Sequence, residues 1–179
     1  MMRVAEQLAR DVRGAAAAEL ALVTPLLLII MFGSVELGNY FMSEHALTKS
    51  VRDGARFAAR RPFTNYGGCA ATAASVPSTL SAEVKTLVRK GSLDATASDR
   101  LPNWDSTDAS FTVQMKCSTS VGTQTFGGIY QGNSVGTANA GPVVIVSATL
   151  PYRPVLGSFG FTGRGFSLKA TQQAAVMGI

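Results

Sequence analysis

Apolar residues crowd one end of this chain. From Ala15 to Val35 nearly every position is aliphatic, small or aromatic. At 1.5 Å of rise per residue the run covers roughly 30 Å as an α-helix, the thickness of a bilayer core. It predicts a membrane-spanning helix over 15–35. Beyond it the apolar positions narrow to a stripe: Leu37, Tyr40, Phe41, Leu47, Val51, Ala55 and Ala58 recur at three- and four-residue steps. One helix is therefore expected over 15–61, stopped by Pro62. At roughly 70 Å such a helix cannot bury itself. Its inner half is expected to face lipid or other helices, and its outer half to lie on a C-terminal domain. Pro25 removes a backbone hydrogen bond within the apolar run, and Thr24 stands where its hydroxyl can reach a freed carbonyl.

Past Pro62 the periodicity predicts a head domain over 62–179. Phe63 to Pro77 reads as loop. Ser78 to Arg89 reads as a short amphipathic helix, with Ser78 as N-cap, Leu80, Val84, Leu87 and Val88 on one face, and Gly91 as the stop. Ser92 to Ser110 is a polar loop that carries the single tryptophan, Trp104. Phe111, Val113, Met115 and Cys117 alternate with polar residues as a half-buried strand. Val143 to Leu150 is a β-branched strand ended by Pro151, and Phe166, Leu168, Ala170, Ala174 and Val176 alternate as a last strand. Ser118 to Gly141, rich in Gly, Ser, Thr and Asn, reads as a long loop with a weak hairpin. The expected fold class is α+β: a long N-terminal transmembrane helix continuing into a small head with an antiparallel sheet of about three strands.

Charge changes this picture at one place. Glu19 puts a carboxylate inside the segment assigned to lipid, where an ionisable group costs a few kcal/mol (about 3 on insertion scales) and needs a partner. Two readings stand. In one, the segment is a signal anchor and Glu19 reaches water at the interface. In the other, the charged leader Met1 to Gly14 is cut away after Gly14, leaving a new amine on Ala15. Ala15 and Glu19 are then i and i+4 on one helix face, and amine and carboxylate neutralise each other within or between chains. The placement of basic residues does not decide orientation. Arg3, Arg10 and Arg13 flank one side, and Lys49, Arg52, Arg56, Arg60 and Arg61 the other. The N-terminus is placed inside because the two cysteines, Cys69 and Cys117, suit an oxidising compartment on the far side. Their spacing fits no metal motif. A single disulfide closing that long loop would stabilise the head by about 4 kcal/mol.

The formal net charge of +5 suggests an acidic partner surface or anionic lipid, but no basic run is dense enough to argue for nucleic acid. Arg52, Arg56 and Arg60 form an i, i+4, i+8 row, read either as a solvated face or as a docking row for a protein partner or for lipid phosphates. Lys49 and Asp53 are spaced to pair. Gly33, Gly38 and Gly54, with Ala58 and Ala59, offer narrow places for another backbone. Glu36, at the outer membrane edge, either snorkels to water or pairs with a basic neighbour. His45 has no identifiable catalytic partner. Asp99, Asp105 and Asp108 lack the spacing of a calcium loop, so a solvated acidic loop is the reading. No phosphate-cradling glycine loop and no nucleophile elbow occurs, so no catalytic residue, metal site or cofactor is expected.

Four pieces of the sequence resemble the TadE-like minor pilins (pseudopilins) of the tight-adherence (Tad/Flp) pilus machinery. RGAAAAELALVTPLLL, from Arg13, is similar to that family's glycine, four small residues and glutamate heading an apolar helix. Phe32-Gly33-Ser34-Val35-Glu36-Leu37-Gly38 is similar to its FGxxExG pattern. Val51-Arg52-Asp53-Gly54-Ala55-Arg56-Phe57-Ala58 is similar to its AREGARYA-type segment, and the Val143 to Pro154 strand and turn to its late strand. The resemblance implies cleavage between Gly14 and Ala15 by a membrane-embedded prepilin peptidase, and export through a bacterial inner membrane with the head on the periplasmic or extracellular side. It also implies a part in pilus assembly or adhesion beside other pilins and inner-membrane platform proteins. Glu19 matches the pilin glutamate that pairs with a neighbour's terminal amine. Leu20 stands where these families often carry an aromatic residue, and the large head is unlike the very short major subunit. The reading from another class is an uncleaved, membrane-anchored periplasmic enzyme or sensor.

Overall fold

The computed structural model describes residues 13–67, 71–121, 124–125, 127–130, 134–135, 138–157, 160, 163 and 165–178. Helix α1 runs Arg13–Ala59, 47 residues with Pro25 inside it. The chain divides into two compact units, the first ending at Asn39 and the second beginning at Tyr40. Within the first unit the described residues are all α1. Its aliphatic side chains point outward from Leu20 to Leu37, with Leu22 81% exposed and Ile29 66%. Thr24 and Ser34 turn their hydroxyls back onto the helix, donating to the carbonyls of Leu20 (2.6 Å) and Met31 (2.8 Å). Small hydroxyls that bond to their own helix leave no polar group facing an apolar surrounding. The carbonyl that Thr24 reaches is Leu20's, not that of Ala21, the one Pro25 leaves without a donor. The hydroxyl supplements an existing acceptor rather than replacing the lost bond.

The second unit is α+β. The last turns of α1 bury Leu47, Val51, Ala55, Ala58 and Ala59. Of the predicted stripe, Phe41 stays exposed and Tyr40 is partly buried. A 3-10 turn follows at Phe63–Tyr66, then the two-residue strand β1 (Ala74–Ser75), helix α2 (Ser78–Lys90) and strand β2 (Ser110–Ser118). Two short hairpins come next: β3 (Ser120–Val121) with β4 (Gln124–Thr125), and β5 (Ser134–Val135) with β6 (Ala138–Asn139). Strands β7 (Gly141–Pro151) and β8 (Ser167–Ala175) complete the chain. The main sheet has order β1-β2-β7-β8, antiparallel throughout. It has four strands rather than three. The addition, β1, falls in a segment expected to be loop, and two residues are too few to display an alternation.

β7 is central because its sequence suits burial. Val144, Val146, Ala148 and Leu150 face the core at two-residue intervals. They pack with Val113 and Met115 of β2, Leu168 and Ala170 of β8, and Leu80, Val84 and Val88 of α2. Phe166, expected to begin the last strand, lies before it and is 63% exposed. Pro77, not Ser78, occupies the N-cap of α2, with no side-chain cap bond, and its carbonyl accepts from the Ser81 N–H at 3.0 Å. Proline's fixed φ leaves Ser78 inside the first turn. At the other end Gly91 takes a left-handed conformation (φ 79°), and its N–H closes onto the Leu87 carbonyl at 2.7 Å.

Candidate functional site: the N-terminal helix and the flank of the head

Gly14 and Ala15 lie in the first turn of α1, and Glu19 follows one turn later with its side chain exposed. Among the described residues, a Cβ built on Gly14, Gly33 or Gly38 would meet nothing within 4 Å. Small residues with open space beside them let a second helix come close. Glu36, in contrast, is buried.

Gly54 belongs to the head, and there α1 passes close over α2. A Cβ on Gly54 would fall on Val88 Cγ2 and 3.3 Å from Val84 Cγ1. Arg52, Arg56 and Arg60 project from the other side of α1 and are exposed. Among the described residues none of the three enters an ion pair. The spacing-based partner of Lys49 is engaged elsewhere: Asp53 faces Arg100 at 3.8 Å, across from the loop after α2. That loop packs Arg100 beside α1, where its guanidinium also donates to Ser50 Oγ at 3.3 Å.

The acidic loop is not simply solvated. Arg89, at the end of α2, donates to Asp99 (2.6 Å) and, two-pronged, to both carboxylate oxygens of Asp105 (2.8 Å each). Lys90 adds a 3.4 Å pair to Asp99. These hydrogen bonds hold both carboxyls below the usual range and raise Arg89 further. Asp108 stands outside the clasp. Among the described residues no group of His, Cys, Asp or Glu is arranged to hold a metal, and His45 is exposed on α1. Cys117 is buried in β2, and no cysteine among the described residues is a free thiol. Cys69 lies outside the described residues.

Sequence reasoning missed three features. The Arg89 clasp joins residues whose separation gives no periodic signal. Tyr66 is buried, its hydroxyl donating to the Ala58 carbonyl at 2.5 Å. Burial pushes its phenol up to about 12, against a smaller opposing effect of Arg61. The third is the outer edge of β8, which among the described residues pairs with no further strand.

Among the described residues one helix, α1, has the length and apolar composition to cross a membrane, and its last turns belong to a small head with an antiparallel sheet. Residues 14–56, which lie within α1, match the family model described as TadE-like protein. That family is one of Tad pilus-related components, and it is the one the four motifs resemble. The match covers about a quarter of the chain, and neither the curated proteins nor the solved structures gave a match.

Proposed function

We propose that this protein is a minor pilin, or pseudopilin, of a Tad-type pilus and secretion machine. In this reading α1 crosses the inner membrane over 15–35 with its N-terminus in the cytoplasm and the head exported. A prepilin peptidase removes residues 1–14, and the new amine on Ala15 meets the Glu19 carboxylate of the same or a neighbouring chain. Cys69 and Cys117 pair across the exported head. The protein works by assembly with other pilins and the inner-membrane platform, and is a peptidase's substrate rather than an enzyme.

The family match carries this reading, because it begins at Gly14, the residue before the proposed cut, and runs through Glu19 and the apolar helix. The exposed aliphatic surface of α1 supports it. So many bare apolar side chains on one helix are stable in lipid or against other helices, not in water.

The test is an intact mass of the protein isolated from its native membrane. A mature chain beginning at Ala15 is expected, and Gly14→Val should leave the full-length form. A working form that keeps residues 1–14 would replace this reading with the uncleaved anchor. The same spectrum, taken with and without reductant on alkylated protein, reports whether Cys69 and Cys117 are joined.

A further inference from the structure

We propose that the outer edge of β8 is a docking site for an extended, acidic segment of another protein, which adds to the sheet as a fifth strand. β8 ends the sheet order, so among the described residues no strand pairs with its other side. Two bonds fix which backbone groups face that side. The Val176 N–H donates inward to the Pro142 carbonyl at 2.9 Å, and the Tyr152 N–H donates to the Phe166 carbonyl at 3.0 Å. Even-numbered residues thus exchange hydrogen bonds with β7. Lys169, Thr171, Gln173 and Ala175 turn their N–H and C=O groups outward. Among the described residues these groups have no backbone partner.

The open stretch is bounded at both ends. The Tyr40 hydroxyl faces the Ser167 carbonyl at 3.5 Å, and the Met177 N–H donates to the Ala59 carbonyl of α1 at 2.8 Å. Between these ends the edge lacks most of the devices that keep strands from pairing with strangers. β8 contains no proline and one charge, Lys169, and its register with β7 is unbroken over nine pairs, so no bulge turns it away.

Charge says what docks. Beside the end of the open edge, Arg56, Ala59 and Arg60 of α1 face Ala174, Ala175 and Met177 across a groove of about 330 Å³. No acid lines it. The nearby carboxylates of Asp53 and Glu83 face Arg100 and Arg61 instead. An incoming strand gains backbone hydrogen bonds from the edge, and an Asp or Glu side chain on it meets guanidinium groups shaped for a carboxylate. The site lies wholly within the unit that begins at Tyr40, so it stands whether or not the chain is cut at Gly14.

The experiment uses the full chain in nanodiscs and three labelled nine-residue peptides of alternating threonine and valine. One carries two glutamates, one carries two lysines in their place, and one is the glutamate peptide with alternate amides N-methylated. The glutamate peptide should bind and slow hydrogen exchange at Thr171, Gln173 and Ala175. N-methylation should weaken it about tenfold or more, since the strand bonds are lost. Replacing Arg56 and Arg60 by glutamate should reverse the preference toward the lysine peptide. Gln173→Pro removes an outward N–H at an edge position that accepts proline, and should weaken binding with an unchanged circular dichroism spectrum. Equal binding of the N-methylated and parent peptides would overturn the proposal, with or without a folded Gln173→Pro variant. So would equal binding of the glutamate and lysine peptides. Edge amides already protected without peptide, in step with a concentration-dependent dimer, would assign the edge to a second copy. Displacement of the peptide by anionic lipid alone would assign the arginines to the membrane.

Discussion

Val88 fills the space that a side chain at Gly54 would need. One Cγ of Val88 lies where the Cβ of residue 54 would stand, and Val84 closes the other side at 3.3 Å. This contact sets how closely α1 approaches α2 within the head.

Gly54→Ala should therefore destabilise the head although alanine favours helix. Overpacking costs about 1–3 kcal/mol, and the gain in helix propensity returns about 1. A net loss near 1 kcal/mol would lower the melting temperature by about 2–4 °C. Adding Val88→Ala makes room and should recover part of the loss, a coupling that a double-mutant cycle reads directly.

The Arg89 clasp predicts the acid behaviour of the head. Arg89's hydrogen bonds depress Asp99 and Asp105 in the folded state. Stability from a depressed carboxyl is present above its unfolded value, about 3.9, and lost as pH falls through the lower folded value. Arg89→Met should lower stability near neutrality, and the gap from wild type should close as pH drops below about 4. Thermal unfolding from pH 2 to 7 measures this. Asp99 is the better shielded acid, 27% exposed against 82% for Asp105, so Asp99→Asn should cost more than Asp105→Asn.

Tyr66 predicts the opposite limb. Its folded phenol sits near 12 because burial disfavours the charged form. A raised value gives stability that is whole below the unfolded value of about 10 and declines as pH rises from there toward 12. Tyr66→Phe should lose about 1 kcal/mol at neutral pH with the bond to Ala58. It should also show a shallower decline between pH 10 and 12. Denaturant unfolding at stepped alkaline pH distinguishes the two proteins.

Glu19→Val tests the proposed pairing of carboxylate and amine. Membrane insertion should be unchanged, since the substitution makes the helix more apolar. Recovery in assembled pilus preparations should fall about tenfold or more, as breaking one side of a buried charge pair strands the other. Equal recovery would remove Glu19 from assembly.

Much of this architecture was readable from residue order because its cause is local. The apolar run sets the helix, and the β-branched run from Val143 to Leu150 sets the central strand. Gly91 and Pro62 punctuate where backbone geometry demands it. α1 nonetheless ends at Ala59, two residues before the expected Arg61, as the chain turns toward Pro62. What could not be read is what depends on distant residues meeting. The two-residue strand β1 exists because β2 offers it an edge. Asp53 pairs with Arg100 instead of Lys49 because the fold brings the loop after α2 beside α1. The β8 edge is a matter of strand order, which alternation does not encode. On the candidate site, the glycines and Glu19 were visible as departures from a monotonous apolar pattern. The clasp of Arg89 was not, since acids scattered through a polar loop look alike before folding selects among them.

The bond from the Met177 amide to the Ala59 carbonyl has a consequence for synthesis. The final turn of the first long helix receives a ligand from a segment made much later. Until β8 has emerged and found β7, that carbonyl is left to water and the hydrophobic layer beneath has an open flank. Closure of the head thus waits on a strand that lies far along the chain from the helix it completes.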